Sequence, residues 1–478
     1  MKKWMIRALS ALLIAAFLPL SVLADEYDLN EGSVTVSTSK GADGSTKQDV
    51  SHKGTTKPDS NPIITSKGQK TGNTITIDAG AGTTANVTIK DANISTGKAA
   101  IKTEGEGNVN LNVEGTNTVS SGSNYAGIEK ANAGNLTIGS ESGSGELTAN
   151  GGWHGAGIGG GHYRDANDIT ITGGEVTANG GDGAAGIGGG YYSYGKDITI
   201  SGGKVVANGS GSAAGIGGGH YGNGSNITIS GGEVTATGGD YGAGIGGGYY
   251  GNGSNITISG GEVTATGGDC GAGIGGGYGR GGSNIAISKD SQVEAVGGAV
   301  GGAGGSSDGC GAAIGNGGNN NRVNGSEIEP DTSGLYTTGK VERIPGDGTV
   351  LDTITGTVEP PKPIEPEKSA SSEEEADKRE PLYRVLNLDG SSLKHQAQKA
   401  DGVLALTAKA DGAILTGTLR ALGYLQNQGI EKITFTDGTH SAELVLAELI
   451  AKGQPEDVYV LTLGAENTLT LNGEAIDF

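Results

Sequence analysis

Residues 242–270 read GAGIGGGYYGNGSNITISGGEVTATGGDC, and this stretch decides the fold. Its motif Ala-Gly-Ile-Gly-Gly-Gly recurs with the isoleucine at Ile158, Ile187, Ile216, Ile245 and Ile274, always 29 residues apart. A second column, Ile169, Ile198, Ile227, Ile256 and Ile285, keeps the same step, as does a third, Val176, Val205, Val234 and Val263. Each repeat holds three short runs in which apolar residues alternate with polar ones, here Ala243 to Ile245, Ile256 to Ile258 and Val263 to Ala265. Alternation over so few residues reads as strands, and the Gly, Asn and Ser between them as corners. No such strand buries a face alone. Stacked copies do, which predicts a parallel β-solenoid of 29-residue coils, right-handed by the general handedness of parallel crossovers.

Composition agrees. The chain has 95 glycines in 478 residues, only 3 Phe and 2 Trp, and no collagen period. Glycine at the corners tolerates positive φ and lets neighbouring backbones approach. A flexible glycine-rich linker has no reason to keep three apolar columns in register, and a propeller blade needs a longer repeat. Degenerate copies extend upstream through Ile128, Ile101 and Val87, so about nine coils over residues 73–326 form a rod on the order of 40 Å long. Ile314 follows Ile274 by 40 residues, which places an 11-residue insertion between those two coils.

Outward from the rod, four other regions are legible. Residues 1–24 carry Lys2, Lys3 and Arg7 ahead of an apolar run ending Val22-Leu23-Ala24, the pattern of a cleaved signal peptide. The expectation is export, with no membrane span after cleavage. Residues 25–72 are polar and β-like and are expected to cap the first coil. Residues 327–381 are rich in Pro and acids and read as a linker. Residues 382–478 form a small α+β domain, with a helix over Thr416 to Gln428 ending at Gly429, strands Ile430 to Phe435 and Val458 to Leu463, and a hairpin turn at Asn472-Gly473.

The pattern Gly-Ala-Gly-Ile-Gly-Gly-Gly, an aromatic pair, then Asn-Ile-Thr-Ile-Ser-Gly-Gly-Glu-Val-Thr-Ala resembles the repeats of secreted bacterial surface proteins. Many of these are described as β-helix repeat or carbohydrate-binding proteins. The likeness covers about residues 73–326 and implies a surface-displayed β-helix; it implies little about ligand.

Acidic residues exceed basic ones by 21, which argues against nucleic acid or an anionic membrane as partner. After each glycine triplet stand His162-Tyr163, Tyr191-Tyr192, His220-Tyr221 and Tyr249-Tyr250, then Tyr278. The repeat stacks these pairs into one surface column, a candidate site for a polysaccharide or host glycan, with flat apolar faces beside hydroxyls. A column that only covers the glycine corner is the structural alternative. Thr170, Thr199, Thr228 and Thr257 face outward, an array that suits ice binding or simply exposed strands. Glu175, Glu233 and Glu262 share a column with Lys204. The repeat generates their spacing automatically, so it says nothing of catalysis. Polysaccharide lyase or hydrolase chemistry is the rival reading, and a bare structural spacer a further one. Cys270 and Cys310 each stand four residues before a core isoleucine, so one column brings them about 4.8 Å apart, inside disulfide range for an exported chain, with two buried free thiols as the alternative. No metal or cofactor is expected, since two Cys and scattered Asp182, Asp240 and Asp269 make no ligand set. The C-terminal domain is expected to engage a cell-envelope partner.

Overall fold

A computed structural model of the protein describes residues 25–299, 310–319, 323–358 and, with short gaps, 383–476. The expected signal peptide, the insertion after Ala299 and most of the Pro-rich segment lie outside the described residues. The chain divides into two compact units, Met1–Ile364 and Glu365–Phe478.

The first unit is a parallel β-solenoid. In the coil opened by Ile245 the strands are Ile245–Gly246, Gly253–Ile258 and Glu262–Thr266, one on each of three faces. Each pairs in parallel with its copy 29 residues away, in the registers Ile216↔Ile245, Ile227↔Ile256 and Val234↔Val263. The faces grow into sheets of twelve, ten and eleven strands in that order. Alternation does the sorting: Glu262 is exposed, Val263 buried, Thr264 half-buried and Ala265 buried. Ile158, Ile187, Ile216, Ile245 and Ile274 have no exposed surface, so the leading column is a continuous apolar stack.

Glycine is obligatory at one corner. Gly188, Gly217, Gly246 and Gly275 have φ between +132° and +138°, and a Cβ there would stand 2.0–2.1 Å from the carbonyl oxygen of the equivalent glycine on the next coil. No other residue fits a corner that close.

The sheets run further at both ends than the repeat alone suggests. Glu26–Asp28 pairs in parallel with Ile63–Thr65, Val34–Lys40 with Ile75–Ala79, and Lys70–Thr71 with Asn93–Ser95. Residues 25–72 therefore supply the first strand of every face instead of only covering the first coil. The twelve-stranded sheet then turns antiparallel through Thr46–His52 and Thr55–Pro58. That outermost strand is exposed, carries Lys57 and ends on Pro58, features that discourage another strand from adding to it. At the far end Lys340–Ile344 still pairs in parallel with Gln292–Val296, and Asp352–Thr355 closes the sheet antiparallel. Arg343, 2% exposed, is held there by Asp352 and by Glu329 at 3.2 Å.

The second unit has its own core, including Leu406, Leu415, Leu422, Phe435, Tyr459 and Leu461. A five-stranded and a four-stranded sheet combine with helices Leu419–Asn427 and Leu446–Ile450. The first helix starts three residues later than its leucine spacing suggests, because Thr416 belongs to strand Ala413–Thr418, paired with Val458–Leu463. Leu419, Leu422 and Leu425 are its buried face. The strand expected from Ile430 begins at Lys432. Asn472, at φ +51°, makes the expected hairpin turn between Thr468–Leu471 and Glu474–Ala475.

Candidate functional site

The repeat places two aromatic side chains after each glycine triplet, and the structure separates them into two ladders, not the single column of pairs. In the inner one Tyr191, His220, Tyr249 and Tyr278 follow at centroid spacings of 5.1, 5.3 and 5.3 Å. Their amides donate to His154, Gly183, Ser212 and Tyr241 of the preceding coil, at 2.8–3.0 Å. In the outer one Tyr163, Tyr192, Tyr221 and Tyr250 follow at 5.7, 5.1 and 5.9 Å. The inner rings are half-buried or, at Tyr278, buried. Tyr163, Tyr192 and Tyr221 are 68, 46 and 43% exposed.

His162 departs from its column. It stacks on its own neighbour Tyr163 at 3.9 Å, while His154, from the cysteine column, takes the place above Tyr191 at 4.3 Å. The spacing of His162 to Tyr191 hid this, because sequence gives the column and not the rotamer.

A second correction concerns what the ladder offers. The Tyr192–Tyr221 and Tyr221–Tyr250 planes lie within 16° and 12° of parallel, so these rings cover one another's faces. Edges and hydroxyls, not flat faces, point to solvent along most of the outer row. Burial lowers the pKa of the His154 and His220 imidazoles from the ordinary histidine value, and burial pushes the Tyr191 phenol up to about 12.

The outer tyrosines are in left-handed backbone conformation, with φ of +57°, +60°, +59° and +54°; the next coil has Gly279 at +65° in the same position. A bulky residue there is rare and costs about 1–2 kcal/mol relative to glycine.

The ladder ends differently on its two sides. At the C-terminal end the Arg280 guanidinium lies 5.8 Å from the Tyr250 ring centroid, and its Nε donates to the Tyr250 carbonyl at 3.1 Å. At the N-terminal end Tyr163 borders a cleft of about 320 Å³ that also takes in Lys130, Asn132, Arg164 and Asn167. Sequence reasoning passed over these residues. Their signal was a departure from the repeat: Ile128 is followed by Glu129-Lys130-Ala131 where later coils have three glycines.

The remaining columns behave as follows. Glu175, Lys204, Glu233 and Glu262 are in register and exposed, with Lys204 Nζ 3.6 Å from Glu233. They form a uniform stripe without a concave setting. The outward threonines Thr170, Thr199, Thr228 and Thr257 are half-buried and in register. Cys270 and Cys310 are both buried, on coils joined through Ile274↔Ile314. Among the described residues no group of three or more His, Cys, Asp or Glu is placed to hold a metal ion. Among them, too, no helix is long and apolar enough to cross a membrane.

Three parallel faces built on an iterated coil define the class of fold, a parallel β-solenoid. A family model described as a beta helix repeat matches the chain over residues 142–162, 169–191, 198–220, 227–249 and 256–278, the last four matches ending on the inner aromatic of the coil. No curated protein and no solved structure gives a significant match.

Proposed function

We propose that the protein is exported and non-catalytic, and that its solenoid displays the outer tyrosine row as a contact surface for an extended polysaccharide laid along the rod. The observation that carries this is the set of exposed tyrosines held at left-handed corners where Gly279 stands on the next coil. Four such corners cost about 1–2 kcal/mol each. The outer rings make three contacts with one another and seven with His162 and the inner ladder, each contributing about 0.5–1.5 kcal/mol. Stacking and strain are therefore of similar size, and what favours a ligand contact is that Tyr163, Tyr192 and Tyr221 stay exposed at these corners. The row offers hydroxyls and ring edges at one-coil intervals, the pattern suited to a repeating polymer, and adjacent coils act as equivalent subsites. The C-terminal domain, with a separate core, is proposed to dock to a cell-envelope partner.

The test is to change Tyr192, Tyr221 and Tyr250 together to Gly, which relieves the backbone strain that alanine would keep. Binding to a polysaccharide panel, rising with chain length in the wild type, is expected to be lost while the β circular-dichroism signal and melting temperature hold. A large fall in melting temperature with no polymer ever bound would mean the ladder is structural. Release of shortened products from a bound polymer would move the reading to a polysaccharide-cleaving enzyme.

A further inference from the structure

The tyrosine ladder stops at the coil that begins with Ile128, and there the uniform repeat gives way to charge. Register pairs Ile128 with Ile158 and Glu129 with Gly159, which puts Lys130 at the position Gly160 holds one coil on. Glycine fits that position, yet here a lysine is 4% exposed. Burying an ammonium is costly unless it is paired. Among the described residues the Lys130 ammonium makes one hydrogen bond, to the carbonyl of Asn132, although it has three hydrogens to donate. Asn132 is itself fixed: its Nδ2 donates to the carbonyls of Gly107 and Gly134, and its Oδ1 accepts from Thr103. The lysine is thus held rigidly at the wall of the cleft beside Tyr163.

Arg164 forms the facing rim. Its side chain is exposed and makes no ion pair or hydrogen bond among the described residues. Of the acids nearby, Asp165 is turned to the next coil, where its Oδ1 accepts from the Tyr194 amide at 2.8 Å. Asp168 and the buried Glu129 act on Lys130 and Arg164 through the field, without forming an ion pair with either among the described residues. Two cations with donors to spare, next to the most exposed tyrosine of the ladder, make a setting for a negatively charged group attached to an apolar-faced ring. The chain as a whole carries 21 more acids than bases, so a polyanion is repelled at long range and is held only where cations are fixed at short range.

We propose that this cleft is a carboxylate subsite. Lys130 and Arg164 bind the carboxylate of an acidic sugar unit while Tyr163 contacts its ring, so the polymer laid along the ladder is one containing uronate residues. The inference rests on the ladder binding a polysaccharide, but the cleft is tested separately.

The experiment titrates the full chain with monomeric glucuronate and with glucose, followed by NMR, in the wild type, in Arg164→Gln, in Lys130→Gln and in the Tyr192/Tyr221/Tyr250 glycine variant. Glucuronate is expected to bind at least about tenfold better than glucose, and each cleft change to erase most of that preference. The exposed Arg164→Gln serves if Lys130→Gln fails to fold. The glycine variant retains Tyr163, Lys130 and Arg164, so it should still bind glucuronate while losing the polymer. Equal binding of glucuronate and glucose, indifference to Arg164→Gln, or equal competition by inorganic sulfate would overturn the subsite. Polymer binding through the ladder without a carboxylate preference would sink the subsite and leave the display surface standing. Glucuronate binding without any polymer binding would do the reverse.

Discussion

Tyr221 and Cys270 have the same unusual backbone, with φ of +59° and +60°, for different reasons. Tyr221 is exposed at the corner and lies between two other tyrosines. Cys270 is fully buried, and its amide donates at 2.9 Å to the carbonyl of Ala299, the last described residue before the insertion. Cys310 is anchored through its own amide to the Asn324 side chain at 3.0 Å. Their coils remain adjacent, since a Cβ on Gly311 would stand 1.9 Å from the Gly271 carbonyl oxygen. Adjacent coils bring equivalent Cα atoms to about 4.8 Å, which a disulfide accepts. The thiols are accordingly expected to oxidise in the exported protein. Non-reducing peptide mapping should link the peptides carrying Cys270 and Cys310, and quantitative alkylation of both thiols in the native secreted chain would refute it. The bond closes a loop of about 40 residues and should add about 3–4 kcal/mol.

Single strands in this protein are two to seven residues long, too short to be stable alone, so each coil depends on the column its residues join. The core columns carry the hydrophobic term. Ile216→Asp places an unpaired charge at a position with no exposed surface and should cost more than about 4 kcal/mol or abolish folding. Thr228→Asp, on the outward side of a neighbouring strand, should stay within about 1 kcal/mol by chemical denaturation. Equal effects would mean the columns do not bear the stability. Polar ladders add to them. Asn179 donates to Asn150 and Asn208 to Asn179, both at 2.8 Å, while Asn255 donates to Asn226 and Asn284 to Asn255 at 3.0 Å. Both ladders keep the 29-residue step and were legible in principle. They escaped notice because asparagine between strands reads as turn chemistry, and only stacking turns it into a bonded row.

At the scale of the whole molecule two separate cores predict two separable unfolding transitions. The C-terminal unit contains an acid-sensitive group at its core. The carboxylate of Asp437 is buried, which alone would raise its pKa, but the amides of His440, Thr439 and Gly412 and the His440 ring all bond it at 2.7–2.9 Å. Together they hold it well below the usual carboxylate range. A folded carboxyl that titrates below its unfolded value stabilises fully at neutral pH, and this contribution is lost as the pH falls below about 4. Calorimetry should show the smaller transition shifting down as the pH falls below about 4. Asp437→Asn should cost that unit about 2 kcal/mol at pH 7 and flatten its acid dependence, because an amide hydrogen then faces the donors.

The sequence by itself determined the solenoid, the 29-residue coil, the three core columns and the inward isoleucines, because a repeated coil turns sequence period directly into stacking. It also placed the C-terminal leucine helix and the Asn472 turn, which are set by local spacing and backbone preference. Only the tertiary structure decided the rest. Residues 25–72 and 340–344 have no repeat signature, and it took strand pairing to make them coils. The division of the aromatic pairs into inner and outer ladders depended on the left-handed corner, which turns successive side chains to different depths. The cleft at Lys130 and Arg164 arose where the repeat breaks, and a period has nothing to say about its own exceptions.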